Sequence, residues 1–96
     1  MKRRRIENKA TSTIRVKVLY FAQLREAAGA REEEITLVKN SSLNNLISKI
    51  CESHPGILHS KKNIQLAVNR KIAGKNLYLR EGDQVAVFPP VAGGQI

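Results

Sequence analysis

The stretch Glu81–Ile96, EGDQVAVFPPVAGGQI, decides the fold predicted for this chain. Gly82 beside Asp83 is typical of a turn. The next residues, Val85–Phe88, form a short β-branched and aromatic run of the kind that fits a half-buried strand. The stretch therefore predicts a turn followed by a strand of a sheet.

The chain after this strand is predicted to leave the sheet as an extended arm. Pro89 and Pro90 have no N–H for a ladder, and they hold the backbone in an extended, polyproline-like geometry. Gly93 and Gly94 then give a tip with almost no side chains, which fits a narrow channel of another protein.

The residues before the arm predict the other strands and one short helix. Apolar residues alternate with other residues at Ile14, Val16, Val18 and Tyr20, which predicts a first strand with one apolar face. A short helix at Ala22–Ala28, closed by Gly29, follows. A charged turn at residues 31–34 and a second strand at Ile35–Val38 complete this half.

One substantial helix is predicted after Ser42. Its buried stripe has the spacing of a single helix face and comprises Leu43, Leu46, Ile47, Ile50 and Cys51. Serine or asparagine oxygens cap its start, but no Glu or Gln completes a capping box. His54-Pro55-Gly56 ends the helix.

The remaining residues predict a loop at Ile57–Asn63, a strand at Ile64–Val68, a tight turn at Asn69–Lys71 and a brief strand at Ile72–Ala73. Leu77–Leu79 adds an apolar cluster. The fold class is therefore α+β, with a mixed sheet of about five strands packed on one main helix.

The charge is concentrated at one end of the chain. The formal net charge is +9, and residues 1–13 hold five basic residues against one acidic residue. They have few large apolar side chains, so we expect a disordered basic tail. No aromatic residues interleave with the basic ones, which argues against a nucleic-acid-binding arm.

Three stretches resemble one known family. They are VLYFAQLRE at Val18–Glu26, LAVN at Leu66–Asn69 and VAVFPPVAGG at Val85–Gly94. In this order they are similar to the first strand, a central strand and the end of the MoaD/ThiS family of ubiquitin-like sulfur carriers, which includes the small subunit of molybdopterin synthase. The resemblance covers residues 14–94 and implies a β-grasp, ubiquitin-like domain.

The resemblance also implies a function. The chain would be a sulfur carrier for molybdenum cofactor biosynthesis and not an enzyme by itself. An adenylating enzyme would use ATP to activate Gly94, which would then carry sulfur as a thiocarboxylate to a pterin precursor in the large subunit of molybdopterin synthase. No cofactor would be bound stably. The residues expected to contact partners are Phe88, Pro89, Pro90, Val91 and Gly93, although packing against the first strand would equally account for Phe88.

The sequence departs from the family at its tip. Family members that carry sulfur end at the second glycine, whereas this chain continues with Gln95 and Ile96. We expect these two residues to be removed by a peptidase before activation. The alternative is that this chain is never activated and that its tail only docks on a partner.

Two other functions remain open at this point. A ubiquitin-like modifier would join Gly94 to lysines of target proteins, and a basic module would bind nucleic acid. The sequence has no paired carboxylates at helical spacing, no glycine-rich phosphate loop and no metal-ligand cluster. Cys51 falls on the apolar stripe, and His54 and His59 are expected to be solvated loop residues and not metal ligands. With one cysteine and no long apolar run, a cytoplasmic protein without a membrane segment is expected.

Overall fold

A computed structural model describes residues 12–89. The elements in chain order are β1 Thr13–Tyr20, α1 Gln23–Ala28, β2 Glu32–Val38, α2 Leu43–Ser53, a 3₁₀ helix at Pro55–Asn63, β3 Gln65–Val68, β4 Lys71–Ile72 and β5 Gln84–Phe88. The tail predicted to be disordered lies largely outside the described residues, and that interpretation stays a prediction. No helix within residues 12–89 is long and apolar enough to cross a membrane.

The five strands form one mixed sheet in the order β2-β1-β5-β3-β4. β1 runs antiparallel to β2 and parallel to β5, while β3 is antiparallel to both β5 and β4. The predicted α+β class and mixed sheet are confirmed. β5 lies at the centre of the sheet, so the strand that leads into the arm is held on both sides.

The core lies between one face of the sheet and α2. The predicted inward residues of β1 are each at most 6% exposed, as the alternation requires. The predicted stripe of α2 is also buried: Leu43, Leu46, Ile47, Ile50 and Cys51. From β5, Val85 and Val87 complete this core with no exposed surface.

The start of α2 differs from the prediction in one detail. Ser42 caps the helix, and its backbone N–H donates to Asn45 Oδ1 at 2.9 Å while Asn45 N–H donates to Ser42 Oγ at 3.3 Å. A capping box is therefore present, which the prediction excluded. The shorter Asn side chain reaches the backbone as Glu or Gln would.

The prediction of a charged turn at residues 31–34 was wrong for the last three of these residues. Glu32, Glu33 and Glu34 belong to β2 and pair with Leu19, Val18 and Lys17. The acidic side chains find local partners, because Glu32 lies 3.9 Å from Lys17 and Glu33 accepts from the Tyr20 hydroxyl at 2.6 Å. Ladder pairing and these contacts outweigh the low strand propensity of glutamate.

Two predictions about the second half also need correction. The segment predicted as a loop at Ile57–Asn63 belongs to the 3₁₀ helix, which fixes Ile57 in the core with no exposed surface. Leu77 and Tyr78 are 44% and 70% exposed, and only Leu79 of that predicted apolar cluster is buried. The reason is that the backbone of this segment pairs with the start of α2, where Leu43 N–H donates to Leu77 O at 2.9 Å.

Candidate docking site at the base of the C-terminal arm

The arm begins at the end of β5. Phe88 is the last strand residue, and Pro89, which follows it, is half-buried. The other residues predicted to carry the function, namely Pro90, Val91, Gly93 and Gly94, lie outside the described residues. The structure therefore shows the base of the arm and the surface that surrounds it.

Phe88 packs against a second aromatic residue. Its ring stacks on that of Phe21, with centroids 4.6 Å apart and an interplanar angle of 22°. Phe21 N–H also donates to Val87 O at 3.1 Å, which continues the parallel pairing beyond the end of β1. Phe88 thus packs directly after the first strand, yet both rings remain partly exposed. One stack both anchors the arm and presents an aromatic surface.

The turn after Phe21 fixes the direction of that ring. Ala22 has φ 52° and ψ −136°, and Leu24 N–H donates to Phe21 O at 3.1 Å. These values describe a type II′ turn, whose first central position favours glycine. The chain therefore accepts a strained alanine at the point where β1 passes into α1.

Strand register places further apolar side chains beside the stack. Ile72 pairs with Ala67, Ala67 with Ala86, and Ala86 with Leu19. Side chains at paired positions lie on the same face of a sheet, and this face is opposite to α2. Ile72 is 76% exposed. We call this surface the apolar patch, and its members are Leu19, Phe21, Ile72, Ala86 and Phe88, with the buried Ala67 between them.

A polar network holds the β3–β4 turn against the start of β5. Asn69 and Arg70 have φ values of 51° and 75°, as in the predicted tight turn. The Asn69 side chain accepts from Gln84 N–H at 3.0 Å and donates to Asp83 Oδ1 at 3.0 Å. Asparagine suits this position because it tolerates a positive φ and also supplies both bonds. The network fixes the β3–β4 turn, and with it β4, relative to the start of β5.

Positive charge borders one end of the patch. The Arg25 guanidinium carbon lies 5.8 Å from the centroid of Phe21, and Arg25 Nε–H donates to Tyr20 O at 3.0 Å. A cavity of about 220 Å³ lies beside it, and its lining comprises Leu19, Tyr20, Phe21, Arg25, Arg31 and Glu32. The rim therefore carries both basic and acidic side chains around an apolar centre, and a polar rim around an apolar centre is typical of protein–protein interfaces.

Cys51 and His54 both lie in buried or partly buried positions. Cys51 is 8% exposed, and burial raises the pKa of its thiol despite an opposing effect from Lys61. His54 was predicted to be a solvated loop residue, which is wrong: its Nε2 lies 2.9 Å from Glu33 Oε2, and its side chain is only 17% exposed. No group of three potential metal ligands occurs within residues 12–89.

Sequence reasoning found part of this site. It named Phe88 and Pro89, which lie where the arm begins. It did not name Phe21, which follows β1 directly, or Ile72 of β4 as contact residues. The sequence alone does not show whether an apolar residue in a strand is exposed or buried, because this depends on which strands lie beside it.

Comparisons with known proteins agree with this geometry. A family model described as the ThiS family matches residues 18–94. A molybdopterin synthase sulfur carrier subunit from Mycobacterium tuberculosis is 37% identical over 82 residues, covering 84% of this chain and 99% of that protein. Molybdopterin converting factor subunit 1 from Pyrococcus furiosus has 35% identity and a TM-score of 0.75, over 81% of this chain and 99% of that one. A complex of subunits 1 and 2 of the molybdopterin-converting factor from Helicobacter pylori contains a chain with 26% identity and a TM-score of 0.56, over 84% of this chain and 100% of that one. The ubiquitin-like β-grasp fold is confirmed.

Proposed function

The chain belongs to the ThiS family, and from that premise we propose that it carries sulfur as a thiocarboxylate on Gly94 for molybdenum cofactor biosynthesis. The observation that carries the proposal is where the family match stops. It ends at residue 94, the second glycine of the arm that β5 leads into. The related sulfur carrier subunit and the two-subunit complex support the assignment to molybdopterin synthase.

The chemistry takes place on the main chain. A glycine carboxylate is a poor electrophile, so an activating enzyme first joins it to the AMP portion of ATP and releases pyrophosphate. A sulfide-equivalent nucleophile then attacks the acyl carbon and displaces AMP, which leaves the thiocarboxylate. Glycine suits both steps because its small size lets two different enzymes reach the same carbonyl carbon.

The apolar patch is the surface by which the carrier docks on its partners. These are the adenylating enzyme and the large subunit of molybdopterin synthase. The patch surrounds the base of the arm, and its stacked rings, Phe21 and Phe88, keep the arm's exit fixed. A partner that covers Ile72 and the rings therefore receives the arm at one defined position.

Gln95 and Ile96 must be removed before activation. Adenylation needs a free carboxylate at the reacting residue, whereas Gly94 is joined to Gln95 by a peptide bond. A peptidase that hydrolyses this bond with one water molecule supplies the carboxylate. The β-branched Ile96 would also fit badly in a channel shaped for two glycines.

The test compares two versions of the chain with the activating enzyme and ATP. We expect the version that ends at Gly94 to support ATP–pyrophosphate exchange and the full chain to support none. Equal exchange with both would rule out the trimming step. No exchange with either, using an enzyme that is active on another carrier, would contradict the carrier assignment and leave a docking role.

A further inference from the structure

We propose that the free edge of β2, with the groove between β2 and α2, binds an extended acidic segment of a partner protein as an additional strand. This surface is separate from the apolar patch. The strand order places β2 at one edge of the sheet and β4 at the other, and Ile72 of the patch belongs to β4. Among the described residues, β2 pairs only with β1.

Within residues 12–89, part of the β2 backbone along this edge has no strand partner. Tyr20 N–H donates to Arg31 O, and Lys39 N–H donates to Ser12 O, at 2.8 and 2.9 Å. In an antiparallel pair, every second residue of a strand directs its N–H and C=O toward the partner strand. From these two bonds, the backbone groups of Glu33, Ile35 and Leu37 in β2 are directed toward β1. The alternate residues point outward. Val38 O already accepts from Ser41. Within residues 12–89 this leaves the N–H and C=O of Glu32, Glu34 and Thr36, together with the N–H of Val38, directed outward.

A groove follows the same edge. One cavity of about 240 Å³ lies beside Glu33–Thr36, and a second of about 440 Å³ lies beside Leu37–Ser41. Lys49 of α2 lines both cavities, so the two adjoin at its side chain, and we call them together the groove. Val38 is 57% exposed at the larger cavity and offers an apolar contact. Backbone groups, an apolar side chain and a groove are the parts that strand addition uses.

Charge selects the chemistry of the occupant. Lys39 and Lys49 both line the larger cavity, and neither forms an ion pair within residues 12–89. At the other end of the strand, Glu32–Glu34 would repel an acidic segment. The occupant therefore lies along the half of β2 from Ile35 to Val38, with its carboxylates beside the two lysines.

The occupant leaves the carrier function available. It would lie across the sheet from β4, while the arm leaves from the central strand β5. A partner held at β2 would thus remain bound while the apolar patch engages an enzyme. This kind of partner would recruit the carrier and would not compete for its arm.

The experiment uses the full chain and a labelled synthetic peptide, Thr-Val-Ile-Val-Asp-Asp-Glu, together with the same peptide in reversed order because either strand direction fits. The control peptide has proline at its second and fourth positions, which removes the ladder donors. Fluorescence anisotropy measures affinity, and amide chemical shifts map the contact. We expect saturable binding of one probe and shifts confined to Glu34–Lys39 and Lys49.

Two variants and one control complete the test. Thr36→Pro removes an outward N–H without breaking a bond to β1, and the pair Lys39→Glu with Lys49→Glu reverses the charge. Each should weaken binding by about tenfold or more. The pair Lys61→Glu with Lys62→Glu should leave it unchanged. If Thr36→Pro does not fold, the lysine variant decides. No saturable binding, shifts that cluster on the apolar patch, or equal loss in the control pair would overturn the proposal.

Discussion

Ala22 has a backbone conformation that is unfavourable for a residue with a Cβ. At φ 52° and ψ −136° it occupies the first central position of a type II′ turn, where a Cβ is unfavourable. We expect Ala22→Gly to raise the free energy of unfolding by about 1 kcal/mol, because the relief of strain exceeds the added entropy of the unfolded chain. Denaturant melts measure the change.

Ala30 provides the matched control for this prediction. It is not among the non-glycine residues with positive φ, so glycine relieves no strain there. Ala30→Gly should lower stability by about 0.5–1 kcal/mol. A loss of stability in Ala22→Gly as large as that in Ala30→Gly would show that the turn carries no strain.

Tyr20 makes stability depend on alkaline pH. Burial, followed by the hydrogen bond to Glu33 and its charge, raises the pKa of Tyr20 far above its usual value near 10. The folded state therefore holds a proton that the unfolded state loses. The resulting stability is fully present below pH 10 and is lost as pH rises above it, by up to about 1.4 kcal/mol per pH unit.

The measurement is the slope of unfolding free energy against pH above 10. Tyr20→Phe should flatten this slope, since the titrating hydroxyl is gone. Tyr78, which is 70% exposed, supplies the control, and Tyr78→Phe should keep the wild-type slope. Identical slopes in the wild type and Tyr20→Phe would contradict the assigned cause.

At the scale of elements, α2 is the main support of the sheet. Ile47 is 1% exposed within the core, whereas Lys49 on the same helix is exposed. Ile47→Ala should lower the free energy of unfolding by about 2–5 kcal/mol, because it removes apolar contacts and leaves a cavity. Lys49→Ala should change it little. Chemical denaturation of both variants decides, and equal stabilities would mean that the stripe of α2 is misassigned.

Most elements followed from local patterns, and the exceptions have physical reasons. The period of two in β1 and the helical spacing from Leu43 to Cys51 state directly which face is buried, so both predictions were right. The β2 strand begins earlier than predicted because Glu32–Glu34 is stabilised by contacts from β1 and α2. Glu33, for example, contacts Tyr20 and His54, which are 13 and 21 residues away along the chain. A short stretch of sequence around Glu33 does not include either partner.

The candidate site was less predictable than the fold for the same reason. The arm could be recognised because its prolines and glycines dictate backbone behaviour locally. The apolar patch could not, since it is assembled by register between strands that are distant along the chain. Ile72 pairs with Ala67, and Leu19 pairs with Ala86 through the parallel pairing of β1 with β5. Neither pairing can be read from the local sequence.

At the scale of the whole molecule, the patch and the arm should act together. Ile72→Glu places a charge in the exposed part of the patch, where a partner must exclude water. We expect it to weaken complex formation with the large synthase subunit by about tenfold or more, without loss of stability. Titration calorimetry measures the affinity.

Leu58 gives a matched control for that substitution. It is 55% exposed, but it lies in the 3₁₀ helix, away from the sheet face that carries the patch. Leu58→Glu should leave the affinity unchanged. A similar weakening in both variants would indicate a nonspecific effect of charge and would argue against the patch as the docking surface.

The central claim is that Gly94 carries sulfur as a thiocarboxylate, and intact mass measurement tests it most directly. The version that ends at Gly94 is incubated with its activating enzyme, ATP and sulfide, and its C-terminal peptide is then sequenced by fragmentation. We predict a mass increase equal to the exchange of one oxygen for one sulfur, located on Gly94 and absent without ATP. An unchanged mass with an active enzyme, or sulfur found on Cys51 instead, would contradict the account.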